Sequence, residues 1–194
     1  MRAIVGDGTH PLVNFEVRIG DHLQALQALR NFETELVLVF NLAPEPDVEV
    51  AAQFEQALVA TMHRTHPLAR SSEATGTVRL RECMDYPLVL PNREAGGRQL
   101  LERHLLRSSV KLRAAVESNS FEFLRGCLHH GHAISFQIAI GAVDDAGEIV
   151  SRGIADRSFP GGNLVLAHLR GRQLPVIAHA FMAHAAQALT SSVC

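Results

Sequence analysis

The chain has 194 residues, enough to bury one domain core or two small ones. Hydrophobic residues make up 47% and charged residues 20%, as in a soluble globular protein. A net charge of −2 argues against a surface that binds DNA, and an aromatic content of 5% without tryptophan argues against stacking platforms for single-stranded nucleic acid. No segment resembles a signal peptide or reaches membrane-spanning length, so we expect a cytoplasmic protein with no membrane contact.

The first quarter of the chain predicts a strand, a helix and a second strand. Val13 to Ile19 alternates apolar and polar residues, which is the period of a half-buried strand. Asp21 is a plausible N-cap for a helix from His22 to about Arg30. Leu36 to Phe40 is a continuous apolar run, typical of a strand buried on both faces of a parallel sheet. The helix carries its apolar face on Leu23, Leu26 and Leu29.

The middle of the chain alternates short apolar runs with amphipathic ones. Val48 to Phe54 and Ala57 to Met62 predict two consecutive strands, and Pro87 to Leu90 predicts another. Arg98 to Leu106 predicts a helix, and Leu112 to Val116 the strand after it.

The next helix has the clearest local signals. Asn119 is its predicted N-cap, Glu122 the reciprocal residue of a capping box, and Gly131 its left-handed stop. Further strands are predicted over Ala133–Gln137, Ile149–Ile154 and Asn163–His168, followed by a final helix that begins at Pro175. This alternation predicts an α/β fold with mostly parallel sheets.

Seven stretches, in chain order, resemble the effector-binding region of LysR-type transcriptional regulators. The resemblance runs from about residue 10 to the chain end. One departure is RNFETELVLVF, where relatives usually carry Gly-x-x-Asp before the strand; here Glu35 takes the acidic place and no glycine is present. The stretches are HPLVNFEVRIG (10–20), ETELVLVFNLAPEPDVEV (33–50), HRTHPLA (63–69), DYPLVLP (85–91), VESNSFEFLRGCLHHGHAISF (116–136), GEIVSRGIAD (147–156) and NLVLAHLRGRQLPVIAHAFMAHAA (163–186).

The resemblance implies a two-lobed fold of the periplasmic-binding-protein type (type 2), with a small effector bound in the cleft between the lobes. We assign residues 1–55 and 171–194 to lobe I and residues 56–170 to lobe II. The family's first strand and helix should precede HPLVNFEV, where only MRAIVGDGT is found, so lobe I is expected to be incomplete. Family members also carry a winged helix-turn-helix before this region, and DNA contact would need that module, which this chain lacks.

The effector contacts are expected at strand ends and helix N-termini, where free backbone N–H groups attract anions. A small effector is therefore the expected partner, and these N–H groups would allow it to be anionic. The predicted contacts are Gly20, Asp21, His22, Pro91, Asn92, Asn119 and Ser120, with Ser135 and Phe136 as neighbours. Structural alternatives stay open, because Asp21 and Asn119 suit helix caps, Asn92 suits a turn and Ser135 suits a packed core hydroxyl.

Metal, cofactor and enzyme chemistry are not expected. His63 and His66 lack carboxylate or cysteine ligands at metal spacing, and His129, His130 and His132 straddle a helix end that favours histidine without a metal. Nucleotide-binding, nucleophile-elbow, zinc-protease and C-x-x-C motifs are missing. Cys127, on the inward side of a helix, is interpreted as core.

Three functions remain after these exclusions. The first is the effector-sensing domain of a LysR-type regulator, acting within a homo-oligomer. The second is a free-standing solute-binding protein, which the missing signal peptide disfavours. The third is a truncated remnant that binds no effector.

Overall fold

The computed structural model describes residues 14–106, 111–142, 147–157 and 159–191, the side chains of residues 190 and 191 excepted. The chain divides into two compact units. Unit 1 comprises Met1–Phe54 and Asn163–Cys194, and unit 2 comprises Glu55–Gly162. The lobe boundary predicted from the sequence placed residues 163–170 in the second lobe. They lie in unit 1, where most of them belong to the strand Gly162–Leu169 that pairs with Val37–Phe40, and Glu55, predicted in the first lobe, lies in unit 2.

The described residues form six α-helices and nine strands. In chain order they are α1 (His22–Arg30), β1 (Val37–Phe40), β2 (Val48–Gln56), β3 (Leu58–His63), α2 (Pro67–Ser71), β4 (Thr77–Val78), α3 (Leu80–Cys83), β5 (Leu88–Pro91), α4 (Gly96–Leu105), β6 (Ala114–Ser118), α5 (Phe121–Leu128), β7 (Ile134–Ile138), β8 (Ile149–Ile154), β9 (Gly162–Leu169) and α6 (Val176–Ser191), with a 3₁₀ turn at Ala139–Gly141.

Unit 1 packs α1 on a three-stranded sheet of order β1-β9-β2. The helix begins at the predicted cap, since the Asp21 carboxylate accepts the N–H of Gln24 at 2.8 Å. Leu26 and Leu29 are buried against the sheet, while Leu23, predicted on the same face, is 75% exposed. The core cluster under α1 consists of Leu26, Leu29, Val37, Val39, Val48, Val165 and Ala167.

One strand predicted in unit 1 is not formed, and another is formed in a different environment from the one predicted. Residues 14–19 form no strand; a strand needs a neighbour for its backbone groups, and the described part of the chain provides none there. Val13 itself lies outside the described residues. The strand β1 pairs with β9 antiparallel rather than in a parallel sheet, and Leu38 is 52% exposed rather than buried. A continuous apolar run therefore did not mean burial on both faces.

Unit 2 is built on a six-stranded sheet of order β4-β8-β3-β7-β5-β6. The pairs β4–β8, β7–β5 and β5–β6 are parallel, whereas β3 runs antiparallel to both β7 and β8. The prediction of a mostly parallel sheet fails at β3. A single residue separates β2 from β3. The first residue of β3, Leu58, lies opposite Ile138, the last residue of β7, so β3 begins at the sheet edge where β7 ends.

Helices cover both faces of this sheet. The first turn of α4 lies on one face, where a Cβ on Gly97 would come 3.1 Å from Leu58 Cδ1. The α5 helix covers the other face, and its Leu124 and Leu128 pack with Val89. Gly131 stops α5 with a φ of +80°, as predicted from the sequence. Among the described residues, no helix is long and apolar enough to cross a membrane.

Candidate functional site

Three neighbouring parallel strands of unit 2 end at the same edge of the sheet. Pro91 at the end of β5 lies opposite Ser118 at the end of β6, and the Asn92 N–H donates to the Ser118 carbonyl at 3.2 Å. Counting along β5 and β7 from the paired Leu88 and Ile134 brings Gln137 level with Pro91. Small ligands bind α/β sheets at such strand ends. We call this set the carboxyl edge; it consists of Pro91, Asn92, Ser118, Asn119, Ser120 and Gln137.

The α5 helix starts at the carboxyl edge, and its cap differs from the prediction. Ser120, not Asn119, is the N-cap: its hydroxyl accepts the N–H of Phe123 at 3.2 Å, while its own N–H donates to Ser118 Oγ at 3.1 Å. The capping box with Glu122 is therefore also wrong, because the third helical residue is Phe123. A residue earlier, Asn119 is exposed and its amide makes no hydrogen bond within the described residues. Asn119 is thus available to a ligand.

Ser135 and Phe136 lie inside the sheet instead of at its edge. Ser135 is fully buried opposite Thr61, and its Oγ has no hydrogen-bond partner in the described part of the chain. Phe136 is 3% exposed opposite Ala60. Both sit before the end of β7, so neither reaches the strand ends directly.

Gln137 is an edge residue that the sequence did not predict. It is 8% exposed, and its side-chain amide forms no hydrogen bond within the described ranges. Its amide atoms are not among the fully buried atoms without a partner, so the amide reaches solvent beside the strand end, where a ligand oxygen could replace water. The signal in the sequence was the polar residue two places after Ser135, on the same face of the strand.

Arg98 fastens the carboxyl edge to α4. Its guanidinium is almost fully buried and donates to the Pro91 carbonyl at 3.2 Å. It also pairs with Glu102 at 2.8 Å and with Glu117 at 2.9 Å. One side chain therefore joins α4, the end of β5 and the end of β6, and its positive charge is offset by two carboxylates.

The remaining predicted contacts belong to unit 1. The Asp21 carboxylate is engaged as a helix cap, and the Gln24 side chain accepts the Asp21 N–H at 3.0 Å in return. Gly20 lies against the same glutamine, because a Cβ there would come 2.7 Å from Gln24 Oε1. His22 is the first helical residue and is half-buried.

The histidines make local contacts of other kinds. His63 Nδ1 lies 2.7 Å from Thr65 Oγ1, and His129 Nδ1 lies 3.0 Å from a Glu148 carboxylate oxygen. His66 is buried, with its ring edge-on to Tyr86. Within the described residues, no three histidine, cysteine or acidic side chains gather as a metal site would require.

Comparison with solved structures identifies the fold class. The regulatory domain of CcmR from Synechocystis PCC6803, in complex with 2-PG, matches with a TM-score of 0.77 at 22% identity, covering 96% of this chain and 89% of that one. The effector binding domain of QuiR, in complex with shikimate, matches with a TM-score of 0.74 at 17% identity over 98% of this chain and 88% of that one. The fold is therefore that of a two-lobed, periplasmic-binding-protein-like (type 2) effector domain.

The family follows from the sequence. Residues 8–190 match the LysR substrate binding domain, and the chain belongs to that family. The HTH-type transcriptional regulator YeiE of Escherichia coli is 25% identical over 126 residues, which are 65% of this chain and 41% of that protein. The transcriptional activator CmpR of Synechocystis is 23% identical over the same length, covering 40% of CmpR. The chain thus matches about two fifths of these curated relatives.

Proposed function

We propose that this chain is the effector-sensing domain of a LysR-type transcriptional regulator, with a small-molecule effector held at the carboxyl edge of unit 2. The observation that carries the proposal is the convergence of three parallel strand ends, two unpaired amides (Asn119 and Gln137) and the first turn of α5. The leading N–H groups of a helix have no partner within the helix and suit ligand oxygens. Gly20, Asp21 and His22 stay predicted effector contacts from unit 1.

Control of transcription would work through a shift between conformations. A ligand that binds one conformation more tightly shifts the population toward it. We propose that this shift acts in a cytoplasmic homo-oligomer and reaches DNA through a helix-turn-helix module outside this sequence. Because YeiE is named as a transcriptional regulator and CmpR as a transcriptional activator, these relatives favour a regulator over a free-standing solute-binding protein or an enzyme.

The first test is thermal unfolding of the chain with a library of small metabolites. A ligand of the native state raises Tm by mass action, and about 100 times its Kd stabilises by about 2.7 kcal/mol. Asn119→Ala and Gln137→Leu should each weaken the effector at least about tenfold, the loss of one or two hydrogen bonds. Gln99→Ala, an exposed change on α4, is the matched control. A library without any stabilising compound would overturn effector sensing.

The second test concerns the whole regulator. The mass of the protein in its source cell should exceed 21.2 kDa, with peptides that precede Met1 in sequence and belong to a DNA-binding module. A protein of 21.2 kDa in the cell would instead require control through a separate partner.

A further inference from the structure

We propose that the effector is a small molecule with an apolar, ring-sized body and at most one carboxylate, and that multiply charged phosphorylated molecules are excluded. The inference rests on the proposed function and concerns the chemistry of the carboxyl edge. Three features of that edge support it: exposed aromatic side chains, neutral hydrogen-bonding groups and the absence of an uncommitted buried cation among the described edge residues.

Two phenylalanines stand exposed at the start of α5. Phe121 and Phe123 are the first and third residues of the helix, directly after the Ser120 cap, and they are 49% and 56% exposed. The buried side of this helix is made by Leu124 and Leu128 instead. Apolar side chains exposed beside polar strand ends are typical of ligand sites, which are mostly apolar with a few polar groups. Residues two apart on a helix point to different sides, so a ligand ring at the strand ends would pack on Phe121, the residue next to the Ser120 cap, and not on both side chains.

The polar groups at the edge are neutral. Asn119 and Gln137 offer side-chain amides without partners among the described residues, and Gln137 is more than nine-tenths buried. Gln137 shares the face of the sheet that α5 covers, because Val89 packs under α5 and lies level with Ser135, two residues before Gln137. Amides and helix N–H groups suit hydroxyl, carbonyl or single carboxylate oxygens.

The charges at the edge disfavour a phosphate. The guanidinium of Arg98 is 2% exposed, and its positive charge is already compensated by Glu102 and Glu117, so it does not offer a cation to a ligand. Arg93, next to Asn92 in sequence, is 72% exposed and lies 3.9 Å from Glu102. Glu122 adds a further negative charge in the first turn of α5. Phosphate sites usually supply arginine or lysine, often in bidentate contact, so a doubly charged group here would face carboxylates without a buried compensating cation.

The experiment compares two matched probe pairs by thermal unfolding of the full chain: benzoate with phenyl phosphate, and cyclohexanecarboxylate with cyclohexyl phosphate. We expect at least one of the two ring acids to raise Tm with a saturable dose response, and the two phosphorylated probes to leave it unchanged at equal concentration. Phe121→Ala should reduce the affinity for the ring acid at least about tenfold, as loss of a contacting aromatic ring would. Leu106→Ala, which removes an exposed apolar side chain after the end of α4, should leave it unchanged.

The outcomes separate this inference from the proposed function. A larger shift with either phosphorylated probe, no shift with either ring acid, or a ring-acid affinity that Phe121→Ala does not alter would each overturn the proposed chemistry. The proposed function would still stand if another metabolite in the wider library stabilised the chain and bound more weakly to Gln137→Leu. If no metabolite stabilises the chain, both the proposed chemistry and the proposed function fail.

Discussion

Phe32 holds a left-handed backbone conformation, with φ of +61°, and the Arg172 guanidinium lies over its ring at 5.1 Å from the centroid. Phe32 follows the C-cap of α1, where its N–H donates to Leu29 and the next N–H, of Glu33, donates to Ala28. This is the Schellman ending that usually carries glycine. A phenylalanine there costs about 1–2 kcal/mol in backbone strain, and the cation–π contact offsets about 0.5–1 kcal/mol of it.

At most positions inside a helix an alanine variant is more stable than a glycine variant, and at position 32 we expect the opposite order. We expect the free energy of unfolding of Phe32→Gly to exceed that of Phe32→Ala by about 1 kcal/mol, since only glycine adopts this φ without strain. Urea unfolding measures the difference. The control is Gln27, an exposed site inside α1. There the free energy of unfolding of the alanine variant should exceed that of the glycine variant by about 0.5–1 kcal/mol. The same order at both sites would show that Phe32 is not strained.

This site shows which kind of structural feature can be predicted from a sequence. The cap at Asp21 and the stop at Gly131 were confirmed because each is specified by residues within a turn of it. The resemblance located the missing glycine of the Gly-x-x-Asp motif, three residues before Glu35, where Phe32 now stands. Its compensating partner, Arg172, is 140 positions away and no local pattern points to it.

Arg98 should be the most sensitive polar residue at the carboxyl edge. Arg98→Met leaves the Pro91 carbonyl and two carboxylates without their shared donor, and we expect a loss of about 2–4 kcal/mol in unfolding free energy. Arg98→Lys should recover only part of this, because an ammonium does not reproduce the planar fork. Denaturant unfolding gives both values.

A surface ion pair serves as the comparison. Arg18 pairs with Glu16 and Glu33 but is more than half exposed, so Arg18→Met should change stability far less than Arg98→Met does. Equal losses for Arg98→Met and Arg18→Met would contradict the bracing of the edge by Arg98.

The sequence located the region of the edge but not all of its members. Pro91, Asn92, Asn119 and Ser120 were placed there because turn residues after apolar runs mark strand ends. Gln137 and Arg98 were missed, since the role of Gln137 depends on its burial and that of Arg98 on partners as far along the chain as Glu117. Whether these residues bind an effector stays a prediction.

His66 should make the stability of unit 2 depend on pH. It is fully buried, its Nδ1 accepts the N–H of Leu68 at the start of α2, and its Nε2 has no partner within the described residues. Burial lowers the pKa of His66 below its ordinary 6.5, while a backbone contact with His132 acts in the opposite direction, and Tyr86 packs against the ring. The unfolded chain then binds the proton more readily, so stability is fully present above about pH 6.5 and declines as the pH falls.

The variant His66→Asn isolates this effect. Asparagine keeps an N-cap acceptor but does not titrate, so its unfolding free energy should fall less between about pH 7.5 and about pH 5.5 than that of the parent chain. Urea unfolding at both pH values provides the comparison. Identical pH dependence in the two proteins would place the proton uptake at other histidines.

Cys83 should be chemically silent in the folded protein. Its thiol is fully buried, and burial, aided by the charges of Glu82 and Asp156, raises its pKa to about 12. Because the thiolate is the reactive form, a chain with Cys83 as its one thiol (Cys127→Ser, Cys194→Ser) should react with iodoacetamide at about pH 8 at least about 100-fold slower folded than in urea. A chain that keeps only the half-buried Cys127 should be less protected. Equal rates for folded and unfolded Cys83 would mean that the α3 region opens readily, and the buried thiol would then be accessible to oxidants.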